Sequence, residues 1–156
     1  MELSLAYLAD FPEATGQLAE WHCAEWSHLL PEWSVAEAAA ELATHTGRRG
    51  APTTVVALVD GRLAGSASLL IEDMPGTEEW SPWLGSVFVA AEHRGRGVGA
   101  ALVDRIVADA AALGFPTLHL FTTEAEGWYL PKGWMVRRRL AFRGHPGVVM
   151  ALDLAP

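Results

Sequence analysis

The chain of 156 residues is 51% apolar and 19% charged, which suits one folded domain with its own core and excludes a disordered or low-complexity polymer. Its 19 acids against 11 bases leave a formal charge of −8, which excludes broad adhesion to a nucleic-acid backbone or an anionic membrane and favours neutral or cationic small partners. Cys23, the only cysteine, can form no internal disulfide, and with His22 and Glu25 it makes too small a donor set for a metal. The opening MELSLAYLADFPEA has no basic leader region, and no apolar run reaches the roughly 18 residues of a membrane span, so the expected location is the cytoplasm.

Leu3, Leu5, Tyr7 and Leu8 predict a short opening strand, broken at Asp10-Phe11-Pro12. A helix is predicted over 13–30 and stopped by Pro31; Ser34 followed by Glu37 has the form of a capping box and starts a second helix that runs to Thr44. TTVVALV (53–59) and RLAGSASLLI (62–71) flank Asp60-Gly61, a strong short-range hairpin signal. EDMPGTEEWSP (72–82) reads as a loop long enough to serve a function. A strand over 83–90 then runs into a glycine turn and a helix whose Val98, Leu102, Ile106, Ala110 and Leu113 share one stripe, ended by Gly114 and Pro116. TLHLF (117–121) predicts a strand, 124–130 a short helix, and 135–142 with 148–154 a closing strand pair around 144–146. The order is β-αα-ββ-β-α-β-α-ββ, in one domain spanning 1–156.

The turn HRGRGVGAAL (93–102) joins a strand to a helix N-terminus, a device for holding phosphate through close backbone amides and the positive end of the helix dipole. A P-loop would need lysine and then Ser or Thr after the last glycine, but Ala100 and Ala101 follow Gly99. Gly95, Gly97 and Ala100 fit the dinucleotide pattern G-x-G-x-x-A letter for letter. That match lies after an antiparallel hairpin, however, and TLHLF ends without the ribose-binding acid, Glu124 coming slightly late.

With its flanks, VFVAAEHRGRGVGAAL resembles the signature of the GNAT N-acetyltransferases, R/Q-x-x-G-x-G/A, with Arg94, Gly97 and Gly99 in register. From Thr122, TTEAEGWYLPKGW is similar to that family's later segment N-x-x-A-x-x-F-Y-x-x-x-G-F/W at Ala125, Trp128, Tyr129, Gly133 and Trp134. Two departures are Thr122, where the family often has Asn, and Pro131 inside the short helix. The resemblance implies an α/β (α+β) fold with a mixed, mostly antiparallel central sheet flanked by helices, and an acetyl-CoA-dependent transfer to a primary amine by direct attack. It places coenzyme A along Val87, Phe88 and Val89, with the Val89 amide at the thioester carbonyl, and sets the pyrophosphate on Arg94, Gly95, Arg96, Gly97, Val98, Gly99 and Ala100, with Thr122 as a further contact. It makes Tyr129 the general acid, since a phenol keeps its proton until about pH 10.

Many GNAT relatives carry a glutamate on the strand before the turn, where this chain has Gly85 and Ser86. The base is therefore expected from the loop, with Glu72 and Glu79 as the catalytic candidates. Asp73, Trp80 and Trp83 of the same loop, with Trp26 from the first helix, are expected to hold a cationic acceptor by charge and cation–π contact. Trp21, Trp26 and Trp33 also have spacings that suit a helix packing its indoles inward, and His22 and His28 read as surface or capping residues. Arg137, Arg138 and Arg139 on a strand should alternate between faces. The expected acceptor is a cationic small molecule. Two other readings stand beside it: a silent coenzyme A–binding module, suggested by the missing strand glutamate, and a peptide N-terminal acetyltransferase, because TTEAEGWY resembles the actin N-terminal acetyltransferases. No nucleic-acid or membrane partner is expected, and the family resemblance leaves a homodimer open.

Overall fold

The computed structural model describes residues 1–48, 50–73 and 76–154. Asp60 and Gly61 both take left-handed backbone, φ 51° and 80°, the type I′ geometry whose twist matches that of paired strands. Thr53–Val59 (β2) and Arg62–Leu70 (β3) accordingly form the predicted hairpin. The other strands are Leu3–Tyr7 (β1), Trp83–Val89 (β4), Thr117–Thr122 (β5), Met135–Phe142 (β6) and His145–Asp153 (β7). Together they make one seven-stranded sheet in the order β1-β2-β3-β4-β5-β7-β6. Every neighbouring pair is antiparallel except β4 and β5, which run parallel.

Among the described residues four α-helices cover the sheet: Thr15–Trp26 (α1), Val35–Ala43 (α2), Val98–Ala112 (α3) and the single turn Glu126–Tyr129 (α4). Alternation along the strands sorts the core into two faces. Val55, Ala57, Leu69, Leu84, Leu118 and Met150 meet Val98, Leu102 and Ile106 of α3 on one face, which also holds Tyr129. On the other, Val56 meets Leu18 of α1 and Leu42 of α2, while Leu70, Trp83 and Val149 form a separate patch.

Several boundaries differ from the sequence reading. The first helix is shorter than 13–30, because Leu8–Asp10 and Pro12–Ala14 are 3-10 turns before it and only isolated turns follow Trp26. The α3 stripe stops at Ala110; Gly114 at φ 88° reverses the chain, Phe115 N–H donates to Ala110 C=O, and Leu113 is left exposed. The last turn is Arg143–Gly144, at φ 49° and 84°, so β7 starts at His145 and contains Pro146. Its missing N–H costs nothing there, since β5 pairs with β7 only from Val148 onward. The short helix is one α turn followed by the 3-10 turn Leu130–Lys132, with Pro131 in its first turn.

Candidate active site

The centre of the sheet comes apart at β4. Its register against β3 runs Gly65↔Val89 and Ser66↔Phe88, then Ser68↔Gly85, so Ser86 and Val87 together oppose Ala67. Ser86 takes φ 52°, and the bulge bends the strand. On its other side β4 pairs with β5 only at Trp83↔His119. Beyond that rung the two strands diverge toward their C-terminal ends, the position at which parallel sheets take ligands. Val87, Phe88 and Val89 lie along this wedge.

At the wedge mouth the glycine turn feeds α3. Gly95 and Gly97 take φ 75° and 83°, a left-handed backbone that side chains resist. Gly97 caps α3 without any side-chain bond, and the first intrahelical donor is the Ala101 amide, to Gly97 C=O. The Val98, Gly99 and Ala100 amides are the unpaired donors of the first turn, a fit for an anion. Arg94 differs from expectation: its Nε donates to Val89 C=O at 2.9 Å, and its guanidinium lies 4.0 Å from Glu25 of α1. The side chain ties the turn to α1. Arg96 is exposed. Thr122 also serves the chain itself, its Oγ1 accepting from the amides of Glu124 and Ala125 at 3.3 and 3.0 Å ahead of α4.

α4 closes the wedge from the β5 side. A Cβ built on Gly99 would stand 3.5 Å from Val89 Cγ2 and 3.9 Å from Trp128 Cζ2, so the indole reaches across to the start of α3. Tyr129 packs edge-on against Trp128 and Trp134, at 4.8 and 5.6 Å between ring centres. Burial pushes its phenol up to about 12. No described residue is hydrogen-bonded to its hydroxyl.

On the opposite face Phe88 is enclosed by Trp21, His22 and Trp26 of α1. The sequence reading missed a buried polar chain here. His22 Nε2 lies 2.8 Å from Ser66 Oγ, which donates to the bulge carbonyl of Ser86 at 3.3 Å. Because the Ser66 proton is used on Ser86, His22 carries its own on Nε2, and desolvation, with His45 nearby, lowers its pKa to about 4. His45 Nδ1 in turn meets Thr54 Oγ1, and Thr54 meets Ser68, each at 2.8 Å. A histidine seven residues after the start of α1 gives no sign of burial; only the Ser and Thr on the facing side of β2 and β3 hint at it.

The loop acids and indoles fall differently from expectation. Trp83 is buried, with its Nε1 donating to Trp80 C=O at 2.9 Å and His119 against its ring, so it is part of the core and lines no acceptor site. Trp80 stacks on His119 and is covered by the Arg138 guanidinium at 4.5 Å, with Arg137 at 5.9 Å. Its cation is therefore one of the chain's own. A register shift between Val136 and Arg138 brings both arginines toward that ring in place of strict alternation. Glu79 is exposed and paired with Arg138 at 3.4 Å, away from the wedge, and Glu72 is exposed at the end of β3. Asp73 turns inward: a Cβ on Gly85 would stand 3.9 Å from its Cγ. Water reaches Asp73, yet dense surrounding protein and the like charge of Glu41 on α2 raise its pKa to about 7. Trp26 is half-buried on His22 and Phe88.

The model of the acetyltransferase (GNAT) family matches residues 16–128. The chain belongs to the GNAT family. Solved structures share the fold of this GNAT protein. An aminoglycoside 6′-acetyltransferase type Ii, 20% identical, aligns over 100% of this chain and 99% of its own with a TM-score of 0.76. An aminoglycoside 6′-N-acetyltransferase complexed with coenzyme A, 18% identical, covers 100% and 98% at 0.78. The yncA protein from Salmonella typhimurium, solved with its cofactor acetyl-CoA, is 15% identical and covers 98% and 94% at 0.72. None of the curated proteins compared with the chain matches it. As a GNAT acetyltransferase the protein is an acetyl-CoA-dependent acyltransferase. The open amides of α3 and the unpaired edge of β4 fit a diphosphate and an amide-bearing arm. Among the described residues no helix is long and apolar enough to cross a membrane.

Proposed function

We propose that this acetyltransferase, acting as a single domain over 1–156, acetylates a primary amine of a cationic small molecule by direct attack on the thioester. The observation that carries the reading is the placement of acids on the α1–α2 face beside the wedge. Asp73 stands over Gly85 and Glu41 bears on Asp73, while Glu25, which lines the hollow next to Phe88, is matched there by Arg94. With the net charge of −8, this focuses a negative potential where an ammonium would approach. Aminoglycosides, named for two of the structural neighbours, are amines of that kind.

In this reading the backbone of Val87–Val89 pairs with the pantetheine arm, and the amides from Gly95 to Ala100 hold the pyrophosphate. Tyr129 protonates the leaving sulfur; its raised pKa keeps that proton in place across the working range, and a thiolate desolvated in the same wedge is made more basic by the same effect. Cys23 Sγ donates to Trp33 C=O at 3.4 Å and takes no part.

The test is release of free thiol from acetyl-CoA with panels of polyamines, aminoglycosides and peptides. Turnover with the cationic small amines is expected. Cofactor binding without thiol release from any panel would make the protein a silent binding module, and turnover with peptides alone would move the acceptor to a peptide N-terminus.

A further inference from the structure

We propose that Asp73 is the group that takes the proton from the acceptor ammonium, because its carboxyl sits over Gly85 at the point where β4 leaves β5. The assignment rests on the reading of acetyl transfer to an amine and names the base within it. Trp83, two residues before Gly85 and on its face, belongs to the patch with Leu70 and Val149, so Gly85 looks out on the face of α1 and α2. The space beyond it is bounded by Leu70, 2.8 Å from a Cβ on Gly85, and by Asp73 Cγ at 3.9 Å. Tyr129 belongs to the opposite face, with α3. The two titratable groups thus flank the wedge from opposite sides, so that one can serve the incoming nitrogen and the other the departing sulfur.

The other acids serve less well. Glu79 is held by Arg138 on the β6 side, and Glu72 is exposed just past the end of β3, without the approach to Gly85 that Asp73 makes. Glu41 faces Asp73 from α2, and its own pKa is raised by burial. Burial first, and then the like charge of Glu41, raise Asp73 to about 7, close to working pH, where a base is most effective. His22 and His45, on the same face, are held neutral at pH 7 by desolvation, and Gly85 and Leu70 bring no charge.

The ammonium gives one proton to the Asp73 carboxylate, and the freed lone pair forms the C–N bond at the thioester carbonyl. The C–S bond breaks with its pair left on sulfur, which takes the Tyr129 proton. The remaining surplus N–H proton returns to Tyr129 through water, and Asp73 releases its own to solvent.

Initial rates with acetyl-CoA and a diamine, followed by thiol release from about pH 6 to 9.5, test the assignment in wild type, Asp73→Asn, Glu72→Gln and Glu79→Gln. Asp73→Asn is expected to lose about 100-fold in kcat at pH 7, to recover toward high pH where the amine is itself neutral, and to keep its acetyl-CoA affinity. With acetohydrazide, whose nitrogen is already neutral at pH 7, it should match wild type, and the two glutamate variants should hold kcat within about twofold. An Asp73→Asn enzyme that keeps kcat and the acid limb while only raising KM for the diamine overturns the assignment, as does an equal loss with acetohydrazide. Wild type that releases no thiol with any amine overturns the acetyl-transfer reading and this assignment with it.

Discussion

Tyr129 and Asp73 show what a single residue's setting adds to its identity. Tyr129 was legible because a motif of fixed spacing surrounds it, and the structure supplies its enclosure by Trp128 and Trp134. Tyr129→Phe removes only the hydroxyl, so the packing should persist while kcat falls by about 100-fold with acetyl-CoA affinity unchanged; steady-state rates beside equilibrium binding check both. Asp73 was legible only as one acid among several in a polar loop. Which of them turns inward depends on Gly85 having no side chain and on where Leu70 sits, and neither is written in the loop. Trp80 and Trp83 failed for the complementary reason: a tryptophan beside acids reads equally as a cation's partner or as core, and here Arg138 and His119 decided it.

At the level of elements, local signals were sufficient wherever the chain contacts itself nearby. Asp60-Gly61 set the hairpin, Ser34 Oγ accepts from the Glu37 amide at 3.0 Å to start α2, and Gly114 ended α3. The divergence of β4 from β5 left no trace, because VFV reads as an ordinary strand and pairing with a distant neighbour is a tertiary event. The glycine turn lies between these cases, with its anion-holding form visible and the inward commitment of Arg94 not. Gly97→Ala tests its geometry. The φ of 83° costs an alanine about 1 kcal/mol, and nothing lies within 4 Å of the new Cβ. We expect a melting temperature only a few degrees lower, but a much larger loss of acetyl-CoA affinity as the methyl intrudes where the diphosphate would lie.

Across the whole molecule, the proposed acceptor side lies with α1 and α2 on one face and the proposed cofactor side with α3 and α4 on the other, with a buried polar layer beneath α1 and α2. That layer has a pH signature. The folded pKa of His22 lies below its ordinary value of 6.5, at about 4, so the unfolded chain takes up the proton first and stability is lost as pH falls from about 6.5 toward 4. The full effect is about 3 kcal/mol. Asp73, with its raised pKa, pulls the other way between pH 7 and 4, so the effect is read as a difference. The stability gap between wild type and His22→Gln, from urea unfolding, should narrow by about 2 kcal/mol between pH 7.5 and 4.5.

The single rung at Trp83↔His119 gives the sheet an unusual mechanical character. Strands β1 to β4 and strands β5 to β7 are two plates joined along one short weld, with α3 packed on the first plate and Trp128 of α4 reaching toward its start. A strand-like arm laid between β4 and β5 would complete the missing rungs, so the ligand would act as an interior strand of the sheet. Loading the enzyme and stiffening its frame would then be the same event.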